Sequence, residues 1–192
     1  MEPRAVGTGG AAASAYLDLR AIEGPRTDVC RRFPAGSLTS DGGRQYRVPE
    51  VVTLDLLVSK GGSDYRLSGR IEGGLELDCS RCLEPFRLDA GIDVDLLYLP
   101  ASDNRGDGEV RIEEEDLSTA FYRDEQIDLK HLVQEQFQLA LPMKPLCRAE
   151  CRGLCGVCGG NRNTVPCRCA DEWEDPRLAG LKRLLKQEES AP

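Results

Sequence analysis

Between residues 65 and 99 the chain alternates. Tyr65, Leu67, Gly69, Ile71, Gly73, Leu75 and Leu77 share one face, with Arg66, Ser68, Arg70, Glu72, Gly74, Glu76 and Asp78 on the other. Phe86, Leu88, Ala90, Ile92, Val94, Leu96 and Tyr98 then repeat the pattern. A period of two sustained this long predicts two long strands, each with one dry and one wet face. The short joint C79-S-R-C82-L-E-P85 makes them an antiparallel hairpin, and Gly73-Gly74 is a place for a bulge. Upstream, Val52, Leu54, Leu56 and Val58 alternate as a third strand, and Tyr16-Leu17-Asp18-Leu19 begins another. Gly24-Pro25, Pro34 and Gly42-Gly43 mark residues 24–47 as loop. Periodicity changes after residue 128. Asp128 reads as an N-cap, followed by Leu129, Val133, Phe137, Ala140 and Leu141 at helical spacing, with Pro142 and Pro145 ending the helix. Asp175 and Pro176 open a last helix with Leu178, Leu181, Leu184 and Leu185 inward. Residues 1–13, rich in Gly and Ala, are expected to be mobile, and residues 101–116 form a solvated loop with seven carboxylates against Arg105 and Arg111.

Composition narrows the function classes. The 192 residues are 40% hydrophobic, enough to build a core, and carry a formal charge of −8. That balance argues against a chain coated with positive charge for nucleic acid, and 5% aromatics argues against a base-stacking platform. No apolar run reaches about 18 residues, so no membrane span is expected. MEPRAVGTGGAAASAY has no apolar stretch behind a basic start, so no secretory leader is expected either.

Cysteine changes the picture most. There are nine, and eight lie in tight groups: CSRC at 79–82, then CRAEC, CGVC and CRC between 147 and 169. An odd number in a chain of this size favours a reducing compartment over a disulfide framework. Buried free thiols would follow a helical or strand period, whereas C-x-x-C in Gly-rich turns brings two thiolates to one ion with little loop-closure cost. In CGVCGG the first sulfur can accept backbone N–H groups of its own turn, and Gly159-Gly160 lets the chain leave without a Cβ clash. One four-thiolate site is therefore Cys155, Cys158, Cys167 and Cys169. The remaining Cys79, Cys82, Cys147 and Cys151 can form a second, joining segments some 65 residues apart. Other partitions stay open, because CSRC is followed by Leu83 and not glycine, and because 147, 151 and 155 are also spaced as on a helix. Soft thiolates without histidine or carboxylate point to Zn²⁺, one or two ions, with an iron–sulfur cluster second. Four protein ligands leave no position for water, so the sites read as structural and no catalytic residue is expected. Two such centres would take the formal −8 to about −12. Cys30 is left as an ordinary thiol, and His131 as a surface histidine without an acid partner.

Around these cysteines the charge reverses. Lys144, Arg148, Arg152, Arg162 and Arg168 stand against Glu150 alone between 142 and 169, and Arg81 lies within the hairpin tip. They either balance the thiolates or reach outward to phosphates as an RNA-contact surface. The fold class is then α+β: a mainly antiparallel sheet with a long hairpin, one packed helix, a Cys-rich zinc-ribbon-like segment and a C-terminal helix. Its expected divisions are 1–13, 14–141, 142–170 and 171–192.

The order of CSRCLEPF, LALPMKPLC, CRGLCGVCGGNRN, CRC and DPRLAGLKRLL resembles the YceD family, whose members are called large ribosomal RNA subunit accumulation proteins. The resemblance covers roughly residues 45–187. Gly156 stands where the family commonly has proline and Arg162 where it has leucine, while every cysteine is kept. The resemblance implies a cytoplasmic, non-enzymatic protein needed for normal 23S rRNA levels, with precursor rRNA or a large-subunit ribosomal protein as partner. No DNA, membrane or small-molecule substrate is expected as a partner. It transfers neither RNA-contact residues nor a metal, which rest on spacing and charge alone. Two other classes fit the sequence less well. A redox protein using Cys79-x-x-Cys82 would need the first cysteine at a helix N-terminus, but here a strand precedes it and Pro85 follows. A transcription factor would need a helix that combines a basic, Asn/Gln-rich reading face with a finger fold, and no helix read here does.

Overall fold

The computed structural model describes residues 15–40, 45–103 and 117–169. The expected C-terminal helix, the N-terminal segment expected to be mobile and most of the acidic loop lie outside them. The described residues divide into two compact units, the first within Met1–Leu77 and Pro85–Pro145, the second within Asp78–Glu84 and Leu146–Pro192.

The first unit holds the sheet. Its strands are β1 (Tyr16–Asp18), β2 (Arg26–Phe33), β3 (Val52–Gly61), β4 (Asp64–Asp78), β5 (Pro85–Pro100), β6 (Thr119–Tyr122) and β7 (Gln126–Asp128), followed by helix α1 (Leu129–Ala140). Five strands make one sheet in the order β2-β3-β4-β5-β6, and β1 pairs with β7 separately. The long hairpin is β4 and β5. Its wet face carries the ion pairs Arg66–Asp95 at 2.6 Å and Arg70–Asp93 at 2.7 Å, which step in opposite directions along the two strands as antiparallel neighbours do. The dry face buries Tyr65, Leu67, Ile71, Leu75, Leu77, Val94 and Tyr98. The β3–β4 register runs without interruption from Gly61↔Asp64 to Thr53↔Glu72, and just beyond it Gly73 makes room for Val52, whose Cγ2 would lie 2.8 Å from a Cβ there.

Helix α1 starts where Asp128 accepts the His131 backbone N–H at 3.0 Å, and it buries Leu129, Leu132, Val133 and Phe137. Phe137 meets Tyr46 edge-to-face, with centroids 5.9 Å apart. His131 has an acid neighbour after all, Glu135 at 3.6 Å one turn on.

Three parts of the sheet depart from the sequence reading. Residues 26–33, read as loop, are edge strand β2, with Val29 and Phe33 its two buried residues. An edge strand with so little to bury shows almost no period-two signal. Strands β6 and β7 were not foreseen. They flank a two-residue turn in which Asp124 (φ +54°) and Glu125 (φ +56°) both adopt the left-handed conformation usually given to Asn-Gly. Finally β6 runs parallel to β5, so the sheet is mixed at that edge. Among the described residues no helix is long and apolar enough to cross a membrane.

Candidate metal centre

In the second unit the two C-x-x-C segments fold alike. The Leu83 N–H donates to the Cys79 carbonyl at 2.9 Å, and the Cys79 N–H donates to the Glu84 carbonyl at 3.0 Å. The Gly159 N–H donates to the Cys155 carbonyl at 2.9 Å, and the Cys155 N–H donates to the Gly160 carbonyl at 2.9 Å. Leu83 and Gly159 therefore hold equivalent positions, and both are left-handed, at φ +60° and φ +71°. The hairpin tip builds this turn without its glycine, and Leu83 carries the strain while 65% exposed.

The eight sulfurs gather into two groups, Cys79 with Cys82, Cys147 and Cys151, and Cys155 with Cys158, Cys167 and Cys169. Within each group all four lie within 4.8 Å of one another. Individual separations are 3.8 Å for Cys79–Cys151, 3.7 Å for Cys82–Cys147, 3.7 Å for Cys158–Cys167 and 3.4 Å for Cys155–Cys167. A tetrahedron with bonds of about 2.3 Å to zinc has edges of about 3.8 Å, so the donor sets have the size and softness for such an ion. Residues 147–155 do not form a helix, and Cys155 turns away from Cys151 into the other group. Cys30 belongs to neither. It lies on β2 opposite Asp55, whose hydrogen bond, with burial, raises its pKa.

Protonation differs within each group. Burial opposes ionisation of Cys79, yet the backbone N–H groups of Cys147, Cys82 and Arg81 outweigh it and hold the thiol down at about 6. The N–H groups of Cys158 and Val157 likewise hold Cys155 at about 6. Burial and then the neighbouring sulfurs push Cys147 up to about 12. The sulfurs of Cys167 and Cys158, then burial, do the same to Cys169. Each group so mixes thiols whose pKa is lowered with thiols whose pKa is raised, and a cation at the centre would favour the thiolate form of all four with release of protons.

The arginines sort into two kinds. Arg81 donates to the Cys151 carbonyl at 2.8 Å, and Arg148 to Asn163 Oδ1 at 2.8 Å, so both brace the cysteine loops. Arg152 and Arg162 line an open cleft of about 560 Å³ with Val165, Pro166 and Cys167. Arg168 is exposed, as is Lys144, which belongs to the first unit. Asn161 and Asn163 were not singled out in the sequence. Asn163 Nδ2 donates to Cys151 Sγ at 3.3 Å and to Asn161 Oδ1 at 2.8 Å. Burial opposes ionisation of Cys151, and the Asn163 amide leads the groups that lower its pKa. The only advance signal was the N-x-N spacing between Cys158 and Cys167.

Fold and site together define a class: a mainly antiparallel sheet protein whose hairpin tip belongs to a unit of two four-cysteine groups able to hold metal. The chain belongs to the YceD family. The family described as large ribosomal RNA subunit accumulation protein YceD matches residues 67–185. An uncharacterised protein of Mycobacterium tuberculosis is 32% identical over 138 residues, covering 72% of this chain and 64% of that protein's own length. A maize protein named large ribosomal RNA subunit accumulation protein YCED homolog 1, chloroplastic, is 27% identical, covering 70% of this chain and 53% of its own. The YlbN protein of Bacillus subtilis is 29% identical over 126 residues, covering 63% of this chain and 66% of its own. No solved structure matches.

Proposed function

We propose that this chain is a non-enzymatic, cytoplasmic factor that supports accumulation of large-subunit ribosomal RNA, acting as an adaptor held in shape by two Zn²⁺–thiolate centres. The name of the family and that of the maize relative supply the ribosomal part of the reading. The observation that carries the rest is the convergence of eight sulfurs into two groups of tetrahedral size. Each ion would be closed off by four thiolates, supplying charge neutralisation and a fixed crossing of loops, with no open coordination position for hydrolysis.

Contact with precursor rRNA falls to Arg152 and Arg162 in their cleft and to exposed Arg168, through phosphates. Arg81 and Arg148 brace the cysteine loops, through the carbonyl and amide they donate to. A redox role for Cys79 and Cys82 finds less support. Cys79 is fully buried, and each of the two sulfurs has a close neighbour outside the C-x-x-C pair.

The test has two parts. Metal analysis of untagged protein should give two zinc ions per chain. Changing Arg152, Arg162 and Arg168 together to Gln should cut RNA crosslinking in cells and lower 23S rRNA in a strain relying on the variant. Unchanged crosslinking would reject the arginine surface, leaving a ribosomal protein as the contact.

A further inference from the structure

We propose that the two sulfur groups fill as one cooperative two-metal unit, with Asn163 as the positioning residue that couples them. The inference rests on the two-ion reading above and goes beyond it. Asn163 lies in the loop between Cys158 and Cys167, so the second group fixes both ends of its segment. Within that loop the Thr164 and Val165 N–H groups donate to the Asn161 carbonyl at 3.1 and 2.9 Å, and the Arg162 N–H donates to the Gly153 carbonyl at 2.9 Å. The loop is thereby laid along residues 151–154, the strand of chain that leaves the first group.

The orientation of the Asn163 amide is dictated by its partners. Its Oδ1 accepts from Arg148 Nη2 at 2.8 Å and from the Arg152 N–H at 2.9 Å. Both are obligate donors, so Nδ2 must face the other way, toward Cys151 Sγ at 3.3 Å. A residue ordered by the second group thus donates to a ligand of the first. A hydrogen bond of this kind holds a metal ligand in place and typically changes metal affinity about 10–100-fold.

The first group returns the link. Arg81, between Cys79 and Cys82, presents its carbonyl to the Leu154 N–H at 3.0 Å, one residue before Cys155. Gly153 makes this approach possible. A Cβ there would lie 2.9 Å from that carbonyl oxygen, and φ is +70°. Filling either group therefore orders chain that the other group needs, which is the condition for positive coupling.

The experiment titrates metal-free, reduced full-length protein with Co²⁺ and counts metals per chain by native mass spectrometry. At one equivalent, wild type should divide between empty and two-metal chains. Asn163→Leu, which loses both halves of the amide, should accumulate the one-metal form several-fold. Asn163→Asp keeps the acceptor for Arg148 and Arg152 but removes the donor to sulfur, and it should do the same. It should also shift the thiolate-to-cobalt absorption of the first centre, a change that loop loosening alone would not give. Wild type that fills two sites independently, or an Asn163→Asp protein that fills like wild type with an unshifted spectrum, overturns the coupling and leaves the two-ion reading standing. A wild-type chain that never takes two ions overturns that reading itself.

Discussion

The two units of this molecule keep their shapes by different means. The first buries a continuous set of side chains from Leu17 to Phe137, including Tyr46, Leu54, Leu67, Ile71 and Leu132, almost fully withdrawn from water. The buried residues of the second, among those described, are Cys79, Cys82, Cys151, Cys155 and Gly153. Among the described residues, four sulfurs and a glycine supply little hydrophobic free energy to offset the entropy of ordering such loops. On the two-ion reading, the contrast teaches that one chain divides its folding between solvent exclusion and coordination chemistry, and that the two parts answer to different agents.

Chelation is the largest way to break the comparison. Structural zinc in small domains contributes about 10–16 kcal/mol. Removing metal under reducing conditions should abolish amide protection across residues 147–167 while the amides of β3 and β4 stay protected by hydrogen exchange. Persistent protection of the cysteine loops in the metal-free chain would overturn the division. Acid should act in the same direction. Thiolates bound to a metal have depressed proton affinity, so the stabilisation is present at neutral pH and is lost as pH falls and protons displace the ion. Metal retention measured by filtration should therefore decline with acidification before the sheet's circular dichroism does.

The converse perturbation is Phe137→Ala, which should destabilise the sheet unit by about 3–5 kcal/mol through loss of packing against Tyr46. Metal content per folded chain, measured by elemental analysis, should not change. Gly153→Ala should reverse that pattern. It forces a Cβ against the Arg81 carbonyl and should weaken metal retention, while the melting of β4 and β5 stays as it was. The smallest effect sharpens the likeness between the two turns. Leu83→Gly relieves a left-handed non-glycine residue at an exposed site and should raise resistance to chelator-induced unfolding by up to about 1 kcal/mol. The equivalent Gly159→Leu should lower it.

Legibility in the sequence follows the same division. The hairpin and α1 could be read because each has one wet face and one dry face over many residues, and Asp128 caps the helix where its position suggests. Strand β2 escaped because RTDVCRRF buries little, and β6 and β7 because strands of four and three residues joined by Asp124-Glu125 carry neither periodicity nor the usual turn residues. The parallel pairing of β6 with β5 is a choice between segments apart in sequence, which local pattern does not encode. In the cysteine unit, ligand candidates were legible because thiolate spacing is a local property. Asn163 and the bracing roles of Arg81 and Arg148 were not, since they exist only once distant turns have closed on one another.

The first sulfur group also sets an order of events at the ribosome. Cys82 leaves the exit tunnel 65 residues ahead of Cys147, its partner at 3.7 Å. At about 5–20 residues per second the nascent chain carries half of this four-sulfur group alone for roughly 3–13 seconds. During that interval β4 and β5 have time to pair before the segment that carries Cys147 arrives.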